Sequence, residues 1–277
     1  MIDQYAVIGN PISHSRSPEI HAAFAAQLGH RFSYVRIEAP LDNFVGTVDA
    51  FRRIGGVGAN VTVPFKLEAF ALATKRSPRA VIAGAANTLC FGPRENNAVF
   101  ADNTDGVGLV RDIRENLGQV ITGKRVLMLG AGGAARSVLA ALAAEAPAEF
   151  AIANRTLQKA QRLLLDLSSR VGDLHAHVID VAALPGHRFD LVINATSASL
   201  FEDLPLIPPS CFDQHAMAYD MMYGKGLTPF LALARSAGAR TVDGVGMLVE
   251  QAAEACWLWR GVRPDTKPVI SSLKVVF

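Results

Sequence analysis

The sequence predicts an α/β protein of two units, and three observations carry that prediction. Apolar runs of strand length alternate with helical stretches of about 10–15 residues, the pattern of βαβ units around a parallel sheet. The chain has 277 residues, comfortable for two domains at about 100–200 residues each. A glycine-rich turn in mid-chain, "GAGGAA", joins a strand to a helix and opens a second alternating series. Half the residues are hydrophobic and 19% are charged, which supplies a sizeable core and argues against disorder.

In order, "YAVIG" reads as a strand and "SPEIHAAFAAQLG" as a helix. Ser17 is its expected N-cap, Pro18 its first helical residue and Gly29 its stop. "FSYVRIE" is a strand, "LDNFVGTVDAFRRIG" a helix, "GANVTV" a strand and "PFKLEAFALAT" a helix. "NTLCF" and "AVFAD" form a short strand pair, and the helix "GVGLVRDIRENLG" leads into the second series. That series runs through "KRVLML", "EFAIANRT", "FDLVINATS" and "AMAYDMMYG". The last long helix, "GVGMLVEQAAEACWLWRG", has a periodic apolar face of Leu248, Ala252, Ala255 and Leu258. A helix this apolar must pack on something. Returning to the first unit would make that unit discontinuous, residues 1–105 with 244–277, around a second unit of 106–243. Ligands of open α/β sheets bind beyond the strand carboxyl ends, here expected in a cleft between the two units.

Composition excludes several functions. A net charge of +2 without any Lys/Arg block gives no nucleic-acid surface. No stretch reaches the roughly 18 apolar residues of a membrane span, and "MIDQYAVIGNP" lacks the pattern of a signal peptide. Cys90, Cys211 and Cys256 are widely spaced without a CxxC pair, and read as reduced thiols of a cytoplasmic protein. His175 and His177 alternate on one strand face, but no carboxylate or cysteine cluster accompanies them, so no metal is expected. The partner is a small molecule, and both monomer and homodimer stay open.

"VLMLGAGGAARSVL" carries G-x-G-x-x-A at Gly130, Gly132 and Ala135. The first glycine permits the tight turn, the second lets backbone approach a pyrophosphate, and the alanine permits close helix–strand packing. With a strand before it and a helix after it, this is a Rossmann dinucleotide turn; a glycine-rich packing turn is the plain alternative. The next strand ends in Asn154 where an NAD site usually holds Asp or Glu, and Arg155, Thr156 and Lys159 follow. A carboxylate would repel a 2′-phosphate, whereas these cations would pair with it. NADP is therefore favoured over NAD. Ordinary solvated charges are the alternative, although cations in a first helical turn oppose the helix dipole.

Polar groups cluster at the ends of the first-unit strands. "GNPISHSRSP" sets Ser13, Ser15 and Ser17 before a helix, where hydroxyls and free amides could hold a carboxylate; capping by Ser17 alone would leave Ser15 unexplained. "ANVTVPFK" places Asn60, Thr62 and Lys66 around a strand end, "GAANTL" adds Asn87 and Thr88, and "ADNTDGVG" adds Asn103, Thr104 and Asp105.

Together, "GNPISHSRSP", "NVTVPFK", "GAANT", "DNTDGVG", "GAGGAAR", "NRT", "YDMMYGKGLTPFL" and "DGVGMLVEQAA" resemble the shikimate dehydrogenase family, in order from Gly9 to Gln251. The resemblance implies reversible, NADP-dependent reduction of 3-dehydroshikimate to shikimate in aromatic amino-acid biosynthesis. By matching motif, Ser15 and Ser17 would hold the substrate carboxylate. Asn60, Thr62, Lys66, Asn87 and Asp105 would bind the ring hydroxyls, with Gln251 and Tyr223 closing the site. The cofactor set would be Gly130, Ala131, Gly132, Gly133 and Ala134 in the turn, and Asn154, Arg155, Thr156 and Lys159 around the adenosine phosphate. Gly244 and Met247 would lie near the nicotinamide, and Thr196 and Met221 complete the set.

The chemistry asks for the same groups. Reducing a ketone needs a hydride on carbon and a proton on oxygen, and Lys66 as ammonium could donate that proton. Asp105, its expected partner, would raise the lysine pKa while burial would lower it; which wins stays open here. Two positions depart from the family pattern. "NATSASL" has Ser199 where glycine is usual, and Lys159 stands where arginine is frequent, keeping the charge without the bidentate fork. A quinate/shikimate dehydrogenase with relaxed substrate or cofactor use is the nearest alternative, and a non-catalytic NADP-binding regulator a remoter one.

Overall fold

A computed structural model of the chain describes residues 2–92, 98–196, 207–224 and 226–274. It has two compact units, Met1–Gly108 with Leu248–Ser271, and Leu109–Met247 with Ser272–Phe277.

The first unit contains β1 (Asp3–Gly9), α1 (Ser17–Leu28), β2 (Phe32–Glu38), α2 (Phe44–Arg53), β3 (Gly56–Val61) and α3 (Lys66–Leu72). It continues with β4 (Lys75–Arg76), α4 (Pro78–Ala83), β5 (Thr88–Phe91), β6 (Val99–Asp102) and the start of α5 (Asp105–Arg111). Its six strands lie in the order β2-β1-β3-β5-β6-β4. β1 pairs in parallel with β2 and β3, whereas β5 runs antiparallel to both β3 and β6. The expected short strand pair is therefore inserted into the sheet. Phe44, Val48, Phe51 and Phe65 pack against Ala6, Ile8, Ala59 and Val61, so α2 and the start of α3 cover one face.

The second unit contains β7 (Arg125–Leu129), α6 (Gly133–Ala143), β8 (Glu149–Ala153), α7 (Leu157–Val171), β9 (His177–Val178), β10 (Phe189–Asn194), β11 (Phe212–Asp220), α8 (Pro229–Ser236) and β12 (Arg240–Val242). All its pairings are parallel, in the order β12-β11-β10-β7-β8-β9. Numbered within the unit, this is the doubly wound order 3-2-1-4-5-6 read from the other edge, whose direction reverses between β7 and β10. Alternation along the strands buries both faces. Val126 and Met128 join the core under α6 and α7, while Leu127 and Leu129 join the core under α8. Residues 112–116 after α5 form a π-helical turn. α9 (Val245–Arg260) and α10 (Lys267–Lys274) complete the chain.

Three local expectations change. Ser17 is the first residue of α1, not its cap: a turn closed by Ser15 N–H to the Ile12 carbonyl (3.1 Å) lets the Ser17 amide meet Ser15 Oγ at 3.3 Å. α3 starts at Lys66, because Phe65 N–H closes a turn onto the Thr62 carbonyl at 3.0 Å. α9 is buried all round from Val249 to Cys256, polar residues included, so its burial is not confined to one apolar stripe. Trp259 stacks on Tyr5 with ring centroids 4.6 Å apart, whereas Trp257 is 46% exposed.

Candidate active site

The first unit gathers its polar residues where β3 and β6 end and β5 begins. Antiparallel pairing sets Asn60 opposite Thr88 and Thr88 opposite Asp102. Asn60 Nδ2 donates to Thr88 Oγ1 (3.2 Å), and its Oδ1 accepts from Tyr34 Oη at 2.7 Å. Burial holds the Tyr34 hydroxyl protonated, with its pKa well above 10.0. Lys66, the first residue of α3, points Nζ at Asp105 Oδ2, 2.5 Å away. Both side chains are largely buried, 16% and 9% exposed, in the range where a charge needs a partner.

Asn87 is the hub of this cluster. Its Nδ2 lies 2.8 Å from Asp105 Oδ1, 3.0 Å from Thr104 Oγ1 and 3.3 Å from Gln251 Oε1. Its Oδ1 accepts the Thr104 amide at 2.8 Å and the Thr88 hydroxyl at 3.0 Å. Gln251 is oriented in turn by Nε2 donating to the Leu248 carbonyl at 2.8 Å. Lys66, Asp105, Asn87, Asn60 and Gln251 thus form one hydrogen-bonded assembly, each member oriented by another. Thr62 follows β3 half-buried. Ser15 Oγ lies 3.2 Å from Ser17 Oγ. Tyr223 belongs to the second unit, two residues after Met221 in sequence.

Beneath Asp105 and Gln251 lies a charge network that sequence reading missed. Arg79 of α4 reaches Asp102 Oδ2 (2.6 Å) with one nitrogen and Glu254 Oε1 (2.8 Å) with another. Arg263 joins Glu254 (2.9 Å) to Glu250 (2.5 Å), and the Thr266 hydroxyl donates to Glu250 at 2.6 Å. Asp102 also accepts from Ser77 Oγ and from the Asn103 amide. Burial acts to raise the Asp102 pKa, but its bonds to Arg79 and Ser77 outweigh burial and hold it below the ordinary value. The available signal was two glutamates flanking Gln251 in an otherwise apolar helix.

In the second unit the glycine turn leaves β7 at the point where strand order reverses. Gly130 has φ +110° and donates its amide to the Ala153 carbonyl at 2.8 Å. A Cβ there would stand 2.9 Å from Thr196 Cγ2, whereas one on Gly132 or Gly133 would meet nothing within 4 Å. The backbone beside α6 is therefore open to a ligand, and no side chain caps that helix, leaving its first amides available to an anion. Ala135 is fully buried at the third motif position. Arg155, Thr156 and Lys159 are exposed around the start of α7, whose first turn holds no acid. Asn154 folds back to donate to the Thr156 carbonyl at 2.8 Å. Open glycines, uncapped amides and two cations fit a phosphorylated dinucleotide. Thr196 is held by Asn194, whose Oδ1 accepts from its amide at 3.1 Å and its hydroxyl at 2.7 Å. Gly244 docks on β11, where a Cβ would overlap the Met221 carbonyl. Ser199 lies outside the described residues. Among those described, no group of His, Cys, Asp or Glu could hold a metal ion, and no helix is long and apolar enough to cross a membrane.

Comparison with known proteins decides the family. The shikimate dehydrogenase substrate binding domain matches residues 7–89, the shikimate/quinate 5-dehydrogenase domain 112–202, and the shikimate 5′-dehydrogenase C-terminal domain 244–274. The shikimate dehydrogenase (NADP(+)) of Aromatoleum aromaticum is 57% identical over 274 residues, 99% of this chain and 97% of that protein. The chain belongs to the shikimate dehydrogenase family. Solved structures agree with that membership. An Ael1 enzyme from Pseudomonas putida superposes with TM-score 0.89 at 51% identity, covering 98% of each chain. Shikimate 5-dehydrogenase from Thermus thermophilus, solved with NADP(H) and shikimate, gives 0.87 at 31% identity over 100% of both chains. The three family matches follow the chain order of the two units, the last falling on α9 and α10.

Proposed function

We propose that Lys66 and Asp105 perform the proton transfer in a reversible, NADPH-dependent reduction of 3-dehydroshikimate to shikimate. The chain is an NADP-dependent oxidoreductase of the shikimate pathway. The observation that carries the residue assignment is the 2.5 Å contact between Lys66 Nζ and Asp105 Oδ2, inside a cluster rich in hydrogen-bonding groups.

NADPH supplies the hydride when bound. Lys66, as ammonium, donates a proton from Nζ to the carbonyl oxygen and stabilises the charge that develops there. Asp105 orients Nζ through Oδ2, while Asn87 occupies Oδ1 and stops the carboxylate from turning. In the reverse direction the Lys66 amine accepts the alcohol proton. Ser15 and Ser17 hold the substrate carboxylate without a net charge. Asn60, Thr62, Asn87 and Gln251 take the ring hydroxyls, and Tyr223 is assigned to the substrate set. The first unit is thus the substrate-binding unit and the second the NADP-binding one. There, residues 130–134 and the α6 amides take the pyrophosphate, while Asn154, Arg155, Thr156 and Lys159 take the adenosine phosphate. Thr196, Met221, Gly244 and Met247 border the nicotinamide. We assign the cytoplasm on three free thiols, which an oxidising compartment would threaten.

The test is reduced-nicotinamide formation with shikimate or quinate, each supplied with NADP or NAD. Turnover confined to shikimate with NADP is expected. Comparable rates with quinate or NAD would move the chain to relaxed use, the reading its relatives' names disfavour.

A further inference from the structure

Tyr219, the penultimate residue of β11, is wholly buried, and its hydroxyl bridges the π-helical turn after α5 and the start of α9. It donates to Asp112 Oδ2 at 2.7 Å and accepts the Met247 amide at 3.3 Å. Met247 lies in the first turn of α9, where backbone N–H groups have no partner within the helix. Asp243 Oδ1 accepts the Val245 amide at 3.3 Å, and the Tyr219 hydroxyl meets the amide two residues on. Asp112, 1% exposed, is held by Asn116 Nδ2 at 3.1 Å and packs directly against Gly246. A Cβ on Gly246 would overlap the Asp112 carboxylate, so the helix start seats on that group only through glycine. Burial, reinforced by the Asp112 charge, raises the Tyr219 pKa well above 10.0, keeping the hydroxyl a donor toward Asp112.

We propose that Tyr219 and Asp112 are positioning residues: by gripping Gly246 and the Met247 amide, they fix the first turn of α9 so that Met247 aligns the nicotinamide for hydride transfer. The proposal rests on the reading that Gly244 and Met247 border that ring. Neither Tyr219 nor Asp112 touches the cofactor in this scheme. Their effect passes through one backbone amide and one glycine contact, and small misplacements of reacting groups are costly in rate.

The test is Tyr219→Phe, which keeps the ring and removes the hydroxyl. Three quantities are read: hydrogen exchange of residues 244–250, NADPH affinity by fluorescence titration, and kcat with NADPH stereospecifically deuterated at nicotinamide C4. Exchange at Met247 should quicken about tenfold, and kcat should fall about tenfold with a larger isotope effect while NADPH affinity changes less than about threefold. Faster exchange with kcat and isotope effect unchanged would make the pair structural only and overturn the proposal. Unchanged exchange would overturn it as well. If Tyr219→Phe does not fold, Asp112→Asn is read in the same way; it keeps an oxygen for the Tyr219 hydroxyl, and unchanged exchange and isotope effect there would also be fatal. Exchange in the native chain separates the two levels: no added protection of 244–247 on NADP binding would overturn the placement of Met247 at the cofactor, whatever Tyr219 does to its amide.

Discussion

Lys66 and Asp105 meet at 2.5 Å although 39 residues separate them in the chain. Each opens a helix, α3 and α5, and Asn87 ties the far carboxylate oxygen at 2.8 Å. The pair is thus a fixed object before any substrate arrives, as its proposed acid–base role requires.

Replacing Lys66 by Ala removes the proposed proton donor and should lower kcat about 10³-fold. Shikimate affinity, read by equilibrium titration, should change only a few-fold. Near-normal turnover would remove Lys66 from the mechanism.

Asp105→Asn keeps an oxygen toward Asn87 but removes the charge that orients Nζ. A fall in kcat/KM of about 10²-fold is expected, smaller than for Lys66→Ala because the donor survives. Steady-state kinetics of the two variants side by side give the order, and the reverse order would contradict the assignment.

The cofactor preference has its own test. Arg155→Ala should raise KM for NADP roughly tenfold or more, the worth of one charge-assisted hydrogen bond, and leave KM for NAD almost unchanged. Lys159→Arg should sharpen the preference modestly by adding a bidentate fork. Equal effects on both cofactors would show that these cations do not meet the 2′-phosphate.

Arg79 bridges two buried carboxylates, Asp102 and Glu254. Arg79→Ala leaves Asp102 without its cation and Glu254 with Arg263 alone, and urea unfolding should show a loss of about 3 kcal/mol, typical of breaking a buried pair. Exposure of the Arg79 side chain, 35%, keeps the expected loss at the lower end of that range. A change below about 0.5 kcal/mol, the usual surface effect, would show the network contributes little.

His21 makes stability depend on acid. It is fully buried, stacked on Tyr34 with ring centroids 4.2 Å apart, and burial pushes its pKa from 6.5 to about 3. Between those values the unfolded chain binds a proton that the folded chain refuses. The contribution is therefore fully present above the unfolded pKa and is lost as pH falls toward the folded one, by about 2 kcal/mol at about pH 5. His21→Phe should flatten the fall of Tm between about pH 7 and pH 5. Parallel curves for the two proteins would place the acid sensitivity elsewhere.

What the sequence determined by itself is what contiguous backbone builds. The turn at Gly130–Ala135 and the cations after β8 were legible because a helix N-terminus, its glycines and the residues following the next strand are local features. Strand and helix order followed from periodicity for the same reason. Tertiary structure alone decided how the polar residues pair. Asn87 reaches Asp105 and Gln251 only because β5 runs antiparallel between β3 and β6 and α9 returns to the first unit. Ser17, readable as a cap, yields that role because the preceding turn brings Ser15 to its amide. Glu250 and Glu254 find their partners only in the folded chain, where Arg79 and Arg263 stand opposite them. The physical reason is common to all three: a buried polar group must find a partner, and sheet register and helix return, not sequence spacing, determine which one it meets.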